Sequence, residues 1–322
     1  NWKVEMPAGH DFDFRPYTPY PLDEWALQRD PDPLADIAWD TIGQAGGRSL
    51  SIKAVRSQRN GQFWSVGRMM ELEDGTWRKA QGVDKWAIYK GDGGGLTKTA
   101  SVAQLQANLW LDKKTRETED QSDAWALSQA IDAPASATQK AWLEANVNVP
   151  ELVNYLAISS LIRHTDSGWK NWYLARDTAG TGRWELWFWD VNWTFTTDGE
   201  DHDGVFLTPD VDNRLDQAML AYPDYREMFF RRLRTLADQF LVPGRYEAQW
   251  DALTAPYNSP DWNLDVAAWP TLRTPELART KFLQGLTDRR TVIAQNTGPG
   301  KPVPAPQSAA PNVVINEIQY AP

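Results

Sequence analysis

The 322-residue chain contains no cysteine. Disulfide staples, thiolate metal sites and cysteine nucleophiles are therefore excluded together, and the redox compartment is left almost unconstrained. No run of about 18 apolar residues occurs, and no charged-then-apolar leader opens the chain, so nothing in it is expected to span or target a membrane. Long basic runs are also missing. With 33 Lys and Arg against 43 Asp and Glu the formal net charge is −10, and general nucleic-acid binding, which needs a clustered positive surface, is not expected. The chain begins at Asn1 instead of an initiator Met and stops inside a strand-like pattern. It is expected to be a piece of a longer precursor, secreted or displayed at the cell surface, whose signal sequence lies outside this fragment.

What the chain has in excess is tryptophan, 18 residues of it. Tryptophan serves either as a sugar-stacking platform or as a large core and cleft-wall residue. The core reading is preferred because Trp184, Trp187 and Trp189 sit inside strand-like stretches. Residues 1–21 carry Pro7, Pro16, Pro19 and Pro21 and read as an extended edge segment. A short amphipathic helix is predicted over 34–45, stopped by Gly46-Gly47. Two strands, about Ser51 to Ser57 and Gln62 to Leu72, flank Arg59-Asn60-Gly61, and Asn-Gly is the strongest short hairpin signal. A third strand, Trp86 to Lys90, runs into the glycine-rich stretch 91–95, which lacks the spacing of a phosphate loop and reads as a flexible connection. Beyond it the pattern turns mostly helical, with helices predicted over 122–146 and 150–163. An aromatic hairpin follows, Asn171 to Arg176 and Arg183 to Asp190, and then an amphipathic helix from Tyr225 to Phe240. The acidic stretch Asp198, Glu200, Asp201, Asp203 lacks the register of a calcium loop and reads as solvated surface.

One constellation carries chemistry. Phosphoryl transfer needs a carboxylate to orient the attacking hydroxyl, oxygen ligands for Mg²⁺, and a cation facing the phosphates. His164-Thr165-Asp166, followed by Lys170-Asn171, reproduces the interval of the kinase catalytic loop, in which Asn stands five residues after Asp. Asp190 follows across one hairpin, where kinases place a metal-binding Asp, and the hairpin is expected to bring Asp166, Asn171 and Asp190 within reach of one another. A bland reading of Asp166 and Asn171 as turn residues and of His164 as a packed imidazole is outweighed by their joint spacing.

These motifs resemble the spore-coat CotH kinase family. The resemblance rests on Asp166, Lys170-Asn171-Trp172-Tyr173 and Trp189-Asp190-Val191-Asn192. It rests also on Asn60-Gly61-Gln62-Phe63-Trp64 with Glu71 and on Tyr89-Lys90. It implies an α+β, atypical protein-kinase-like fold over residues 1–296, with a small, mainly antiparallel N-terminal sheet lobe (about 1–105) and a larger, mainly helical C-terminal lobe (about 106–296). It implies ATP and Mg²⁺ use, with Asp166 as catalytic acid or base, His164 and Lys170 beside it, and Asn171, Asp190 and Asn192 as metal ligands. Lys90 and Glu71 become candidate phosphate-side partners. Residues 297–311 are expected to form a Pro-rich linker, and 312–322 resemble the first strand of a lamin-tail-type β-sandwich.

The expected activity is phosphotransfer from ATP to a hydroxyl on a protein or surface polymer. Two departures from the family pattern, Asn192 where Asp is usual and a missing Arg-Gly-x-x-Ser segment, keep open an inactive structural or adhesion module. A carbohydrate-active enzyme using Asp166 and Asp190 as paired carboxylates is the third reading.

Overall fold

The computed structural model describes residues 2–306 apart from 16, 30–31, 92–95, 108–110, 166, 168–169, 196–213, 256–259 and 270–274. Within those residues the architecture is mixed α and β, with two four-stranded antiparallel sheets and eleven helices. The first sheet has the order β1-β2-β4-β3, from β1 (Trp2–Glu5), β2 (Glu24–Gln28), β3 (Ile52–Arg59) and β4 (Gln62–Glu71). Asn60 at φ 54° and Gly61 at φ 77° both take left-handed backbone, so the Asn-Gly turn joins β3 to β4 as its chemistry predicts. The edge segment holds β1, whereas β2 carries no strong sequence signal and forms because β4 offers it a partner.

Helix α1 (Pro33–Gln44) follows the 34–45 prediction. The Asp32 side chain accepts from Ala35 N, Pro33 sits where a missing N–H costs nothing, and the chain leaves through Gly46 at φ 76°. Helix α2 (Gly75–Ala80) opens on Asp74, whose carboxylate accepts from Trp77 N at 2.7 Å.

The second sheet has the order β6-β5-β7-β8 and positions the candidate site. Its strands are β5 (Ala87–Gly91), β6 (Leu111–Lys113), β7 (Trp172–Arg176) and β8 (Trp184–Phe188). It thus draws strands from both sides of residue 105. Between β5 and β6 lies α3 (Val102–Ala107). The stretch 122–146 is two helices and not one: α4 (Ser122–Ile131) stops before Pro134, and α5 (Ala137–Asn146) restarts with Ser136 accepting from Gln139 N. Proline disfavours helix at its own predecessor and Ser caps the next turn, which overrides the continuous periodicity.

Helix α6 (Val149–Ile162) is apolar on nearly every side and lies at the centre of the core. Tyr155 on α6 meets Phe188 of β8 at 4.4 Å between ring centroids, so one face of the second sheet packs on α6. On the opposite face Trp187 meets Trp77 of α2 at 5.8 Å, and the Arg48 guanidinium lies 5.0 Å from the Trp187 ring while pairing with Glu185 at 3.5 Å. The sheet is therefore buried on both sides, which accounts for the aromatic runs in β7 and β8.

The remaining helices are α7 (Arg214–Leu220), α8 (Pro223–Phe240), α9 (Arg245–Thr254), α10 (Pro260–Ala268) and α11 (Pro275–Gln295). Tyr225, Phe229, Leu233, Leu236 and Phe240 form the buried stripe of α8. The Pro-rich stretch does not leave the domain at once. Thr297 bridges Val303, Gly298 N donates to Val303 O at 3.1 Å, and Val303 is fully buried. Residues 307–311 of the expected linker and the 312–322 strand lie outside the described residues, as do 92–95 of the glycine-rich connection and the acidic stretch 198–203.

Glu73 gives the fold a pH signature. It is almost enclosed, bonded to Arg78 at 3.3 Å, and burial pushes its carboxyl from 4.5 up to about 7. The buried Asp216 is likewise pushed up to about 7 by desolvation. A raised folded-state pKa means that the folded protein holds protons the unfolded chain has released, so stability falls as pH rises from about 4.5 to about 7. Glu73→Gln is expected to remove part of that fall, on the order of 1–3 kcal/mol, leaving the part due to Asp216. Urea unfolding of both proteins at pH 5 and at pH 7.5 checks this. An unchanged difference between the two pH values would contradict it.

Candidate functional site

The site is built where α6, β5 and β8 end and β7 begins. Helix α6 closes with Arg163 in left-handed backbone at φ 52°. His164 N donates to Ser159 O at 2.9 Å and Arg163 N to Ser160 O at 3.4 Å, the paired closure usually made with glycine. The loop that follows is tied to the segment after β8. Thr165 N donates to Trp193 O at 3.2 Å, and Phe195 N donates to Ile162 O at 2.7 Å. Phe195 is itself wedged against Tyr246 at 5.1 Å and Phe282 at 5.3 Å, anchoring that segment to α9 and α11.

Asn171 and Asp190 meet at the end of the second sheet. Gly91, Trp172 and Phe188 lie opposite one another across β5, β7 and β8, and one further rung follows: Asn171 N donates to Gly91 O at 3.2 Å and Trp189 N to Asn171 O at 3.1 Å. The Asn171 side chain donates through Nδ2 to Asp190 O at 3.3 Å. Both residues take left-handed backbone, φ 65° for Asn171 and φ 47° for Asp190. Asn and Asp are the non-glycine residues that tolerate this region best. Of the six described non-glycine residues with positive φ, four (Arg163, Asn171, Asp190 and Phe195) fall between 163 and 195, so backbone strain is concentrated around this one loop pair. Asn171 is buried and Asp190 exposed, which presents the carboxylate to solvent beside a fixed amide.

The other expected residues are distributed as follows. Asp166 lies outside the described residues, though both neighbours are held: Thr165 by Trp193, and Ser167 through Oγ donating to His164 O at 2.9 Å. His164 is fully buried, with its ring 6.1 Å from that of Phe188, a position for packing beneath the loop and not for exchange with solvent. Lys170 is half-buried, 5.9 Å from the exposed Trp193 ring, and Asn192 is half-buried in the turn after Asp190. Lys90, on β5 opposite Tyr173, sits 5.5 Å from the Trp189 ring, which places it along the edge of the site. Glu71 belongs to the other sheet. Its carboxylate accepts from the Tyr20 hydroxyl and, at 2.9 Å, from Ser51 N, and burial raises its pKa. The structure thus brings Lys90, Asn171 and Asp190 to one end of one sheet and ties Glu71 to the segment that covers the other.

Asp190 and Asn171 offer hard oxygen donors of the kind Mg²⁺ takes, and Mg²⁺ normally completes its shell with water and phosphate oxygens. Among the described residues no group of three His, Asp or Glu side chains could hold a metal ion. Sequence reasoning missed Gly91, read as the start of a flexible loop. A Cβ there would lie 2.5 Å from Trp172 Cε2, so the residue is glycine because the indole rests on it. The signal was available as glycine directly after an apolar strand.

The left-handed position of Asn171 gives a direct check. Asn171→Gly is expected to retain most of the stability, whereas Asn171→Val should cost about 1–3 kcal/mol more because a β-branched residue does not accept this φ. Urea unfolding of the two variants measures the difference, and equal stability would show that the backbone is not held there as described.

With this geometry in view, comparison with known proteins is informative. No curated protein matches the chain. A family model does, that of the CotH kinase protein, over residues 37–297. The matched stretch runs from within α1 to the end of the turn after α11 and includes Lys90, the 163–171 loop, Asn171 and Asp190. The chain therefore belongs to the CotH kinase family.

Proposed function

We propose that the chain is an atypical kinase-like phosphotransferase that uses ATP and Mg²⁺ to phosphorylate a hydroxyl on a protein or surface polymer. The observation that carries this reading is the contact of Asn171 with Asp190 at the solvent end of a sheet whose other side is closed by packing. Family membership supports it independently.

In this reading Asn171 and Asp190 hold the metal, with Asn192 next to them as a neutral third donor. Mg²⁺, when bound there, would supply charge neutralisation on the nucleotide phosphates. Lys90 and Lys170 contribute positive charge on two sides of the same end of the sheet. Asp166 orients the acceptor hydroxyl and takes its proton as the acceptor oxygen bonds to the γ-phosphorus. The bond from that phosphorus to the β–γ bridging oxygen breaks, and ADP leaves. His164 keeps the loop packed from below. The same reading makes the chain one module of an exported protein, joined through its Pro-rich stretch to a lamin-tail-type domain.

Calorimetry with Mg²⁺ and ATP tests the proposal, because binding is required whatever the acceptor proves to be. The wild-type chain is expected to bind ATP only with Mg²⁺ present, and Asp190→Ala to weaken that binding by at least about tenfold, roughly 1.4 kcal/mol. Asp166→Asn should leave binding in place and remove transfer of the γ-phosphate. Absence of Mg²⁺-dependent ATP binding in the wild-type chain would sink the proposal.

A further inference from the structure

At the opposite end of α6 from the catalytic loop, about 20 Å away by the length of that helix, α6, α8 and residues 301–305 enclose an open groove of about 870 Å³. Its charge is unlike that of the chain as a whole. Arg231, Arg232, Arg234 and Lys301 line it, against the carboxylates of Glu151 and Glu227. One of those carboxylates is engaged, since Glu227 pairs with Arg231 at 2.6 Å.

The remaining cations are compensated unevenly. Arg232 donates to two neutral acceptors, Asn154 Oδ1 at 2.8 Å and Ala45 O at 2.7 Å, and no carboxylate among the described residues pairs with it. Burial lowers its pKa, and the nearby Glu151 carboxylate offsets that only in part. Arg234 is 9% exposed and bonds Asp238 through Nη2 at 2.6 Å, while its buried Nε has no hydrogen-bond partner among the described residues. Lys301 is exposed, with no ion pair among the described residues. Four cations against two carboxylates leave the lining net positive, which favours an anionic occupant.

The walls between the charges are apolar, from Val153, Met228, Phe230, Pro302 and Pro304, and Met228 is 38% exposed. The groove is much larger than a single phosphate, and its alternation of cation and apolar wall does not suit a uniformly charged nucleic acid. We infer that it is a docking site for an extended acidic peptide segment of a partner protein, one that carries apolar side chains between its carboxylates. Carboxylates of the segment meet Arg232, Arg234 and Lys301, and its apolar side chains cover Met228, Phe230 and the prolines. This does not rest on nucleotide use at the other end of α6.

The test is fluorescence anisotropy on the full chain with a short labelled peptide that alternates Asp or Glu with Leu and Phe, beside an Asn/Gln analogue and a Lys analogue. The acidic peptide is expected to bind at least about tenfold more tightly than the neutral one, and to lose affinity as salt is raised. Arg231 and Lys301 are both exposed, so the double variant R231E/K301E is expected to fold, which circular dichroism verifies. It should bind the acidic peptide about tenfold more weakly or worse and the Lys peptide more tightly than wild type does. Calorimetry with Mg²⁺ and ATP on the same variant should be unchanged, which keeps this result separate from the nucleotide site. Equal binding of acidic and neutral peptides, or an acidic-peptide affinity that the double variant leaves intact, would overturn the inference.

Discussion

The indole of Trp172 lies against the backbone of Gly91, so close that a single added methyl would fall 2.5 Å from the ring. That contact fixes how β5 and β7, separated by about eighty residues of chain, lie against each other. Gly91 opposite Trp172 sets Lys90 opposite Tyr173, and the next rung sets Asn171 N on Gly91 O. Because side chains alternate along a strand, a register slipped by one residue would put another residue of β5 under the Trp172 indole, where only glycine leaves room. The lateral position of every candidate residue on this sheet follows from the one close approach.

A second constraint acts along the chain. The loop after α6 and the turn after β8 are tied together at Thr165 and Phe195, and the cost is left-handed backbone at Arg163, Asn171, Asp190 and Phe195. Each such residue is unfavourable by about 1–2 kcal/mol unless it is Asn, Asp or Gly. At Asn171 and Asp190 the residue type already suits the conformation. At Arg163 and Phe195 it does not, and there helix closure and the rings of Tyr246 and Phe282 hold the backbone.

Local features were legible in the sequence. Asn60-Gly61 announced its hairpin and Pro150 the start of α6. Non-local features were not. That β5 pairs with β7, and so joins residues expected in two separate lobes, depends on a glycine whose reason lies across the sheet. Glu71 was paired with Lys90 by the family resemblance, whereas its carboxylate accepts from Tyr20 and Ser51 beside the first sheet. The fold-back of the Pro-rich stretch was hidden for the same reason. Val303 sits between prolines and reads as linker, and only the hydrophobic pocket that receives it makes it core. The aromatic excess resolved as packing around β7 and β8, where Trp172, Trp184 and Trp187 are buried.

Two regions at opposite ends of α6 thus stand out in an otherwise acidic chain: a buried amide bonded to the backbone of the exposed Asp190, and a groove whose lining is net positive. The central claim concerns the first, that Asn171 and Asp190 are gathered to hold one metal-bound nucleotide. A crystal structure with Mg²⁺ and a non-hydrolysable ATP analogue tests it most directly. The ion is expected on the Asp190 carboxylate and the Asn171 amide oxygen, at about 2.0–2.1 Å, with the phosphates beside Lys90. Nucleotide bound elsewhere, or an ion that leaves Asp190 and Asn171 untouched, would contradict it.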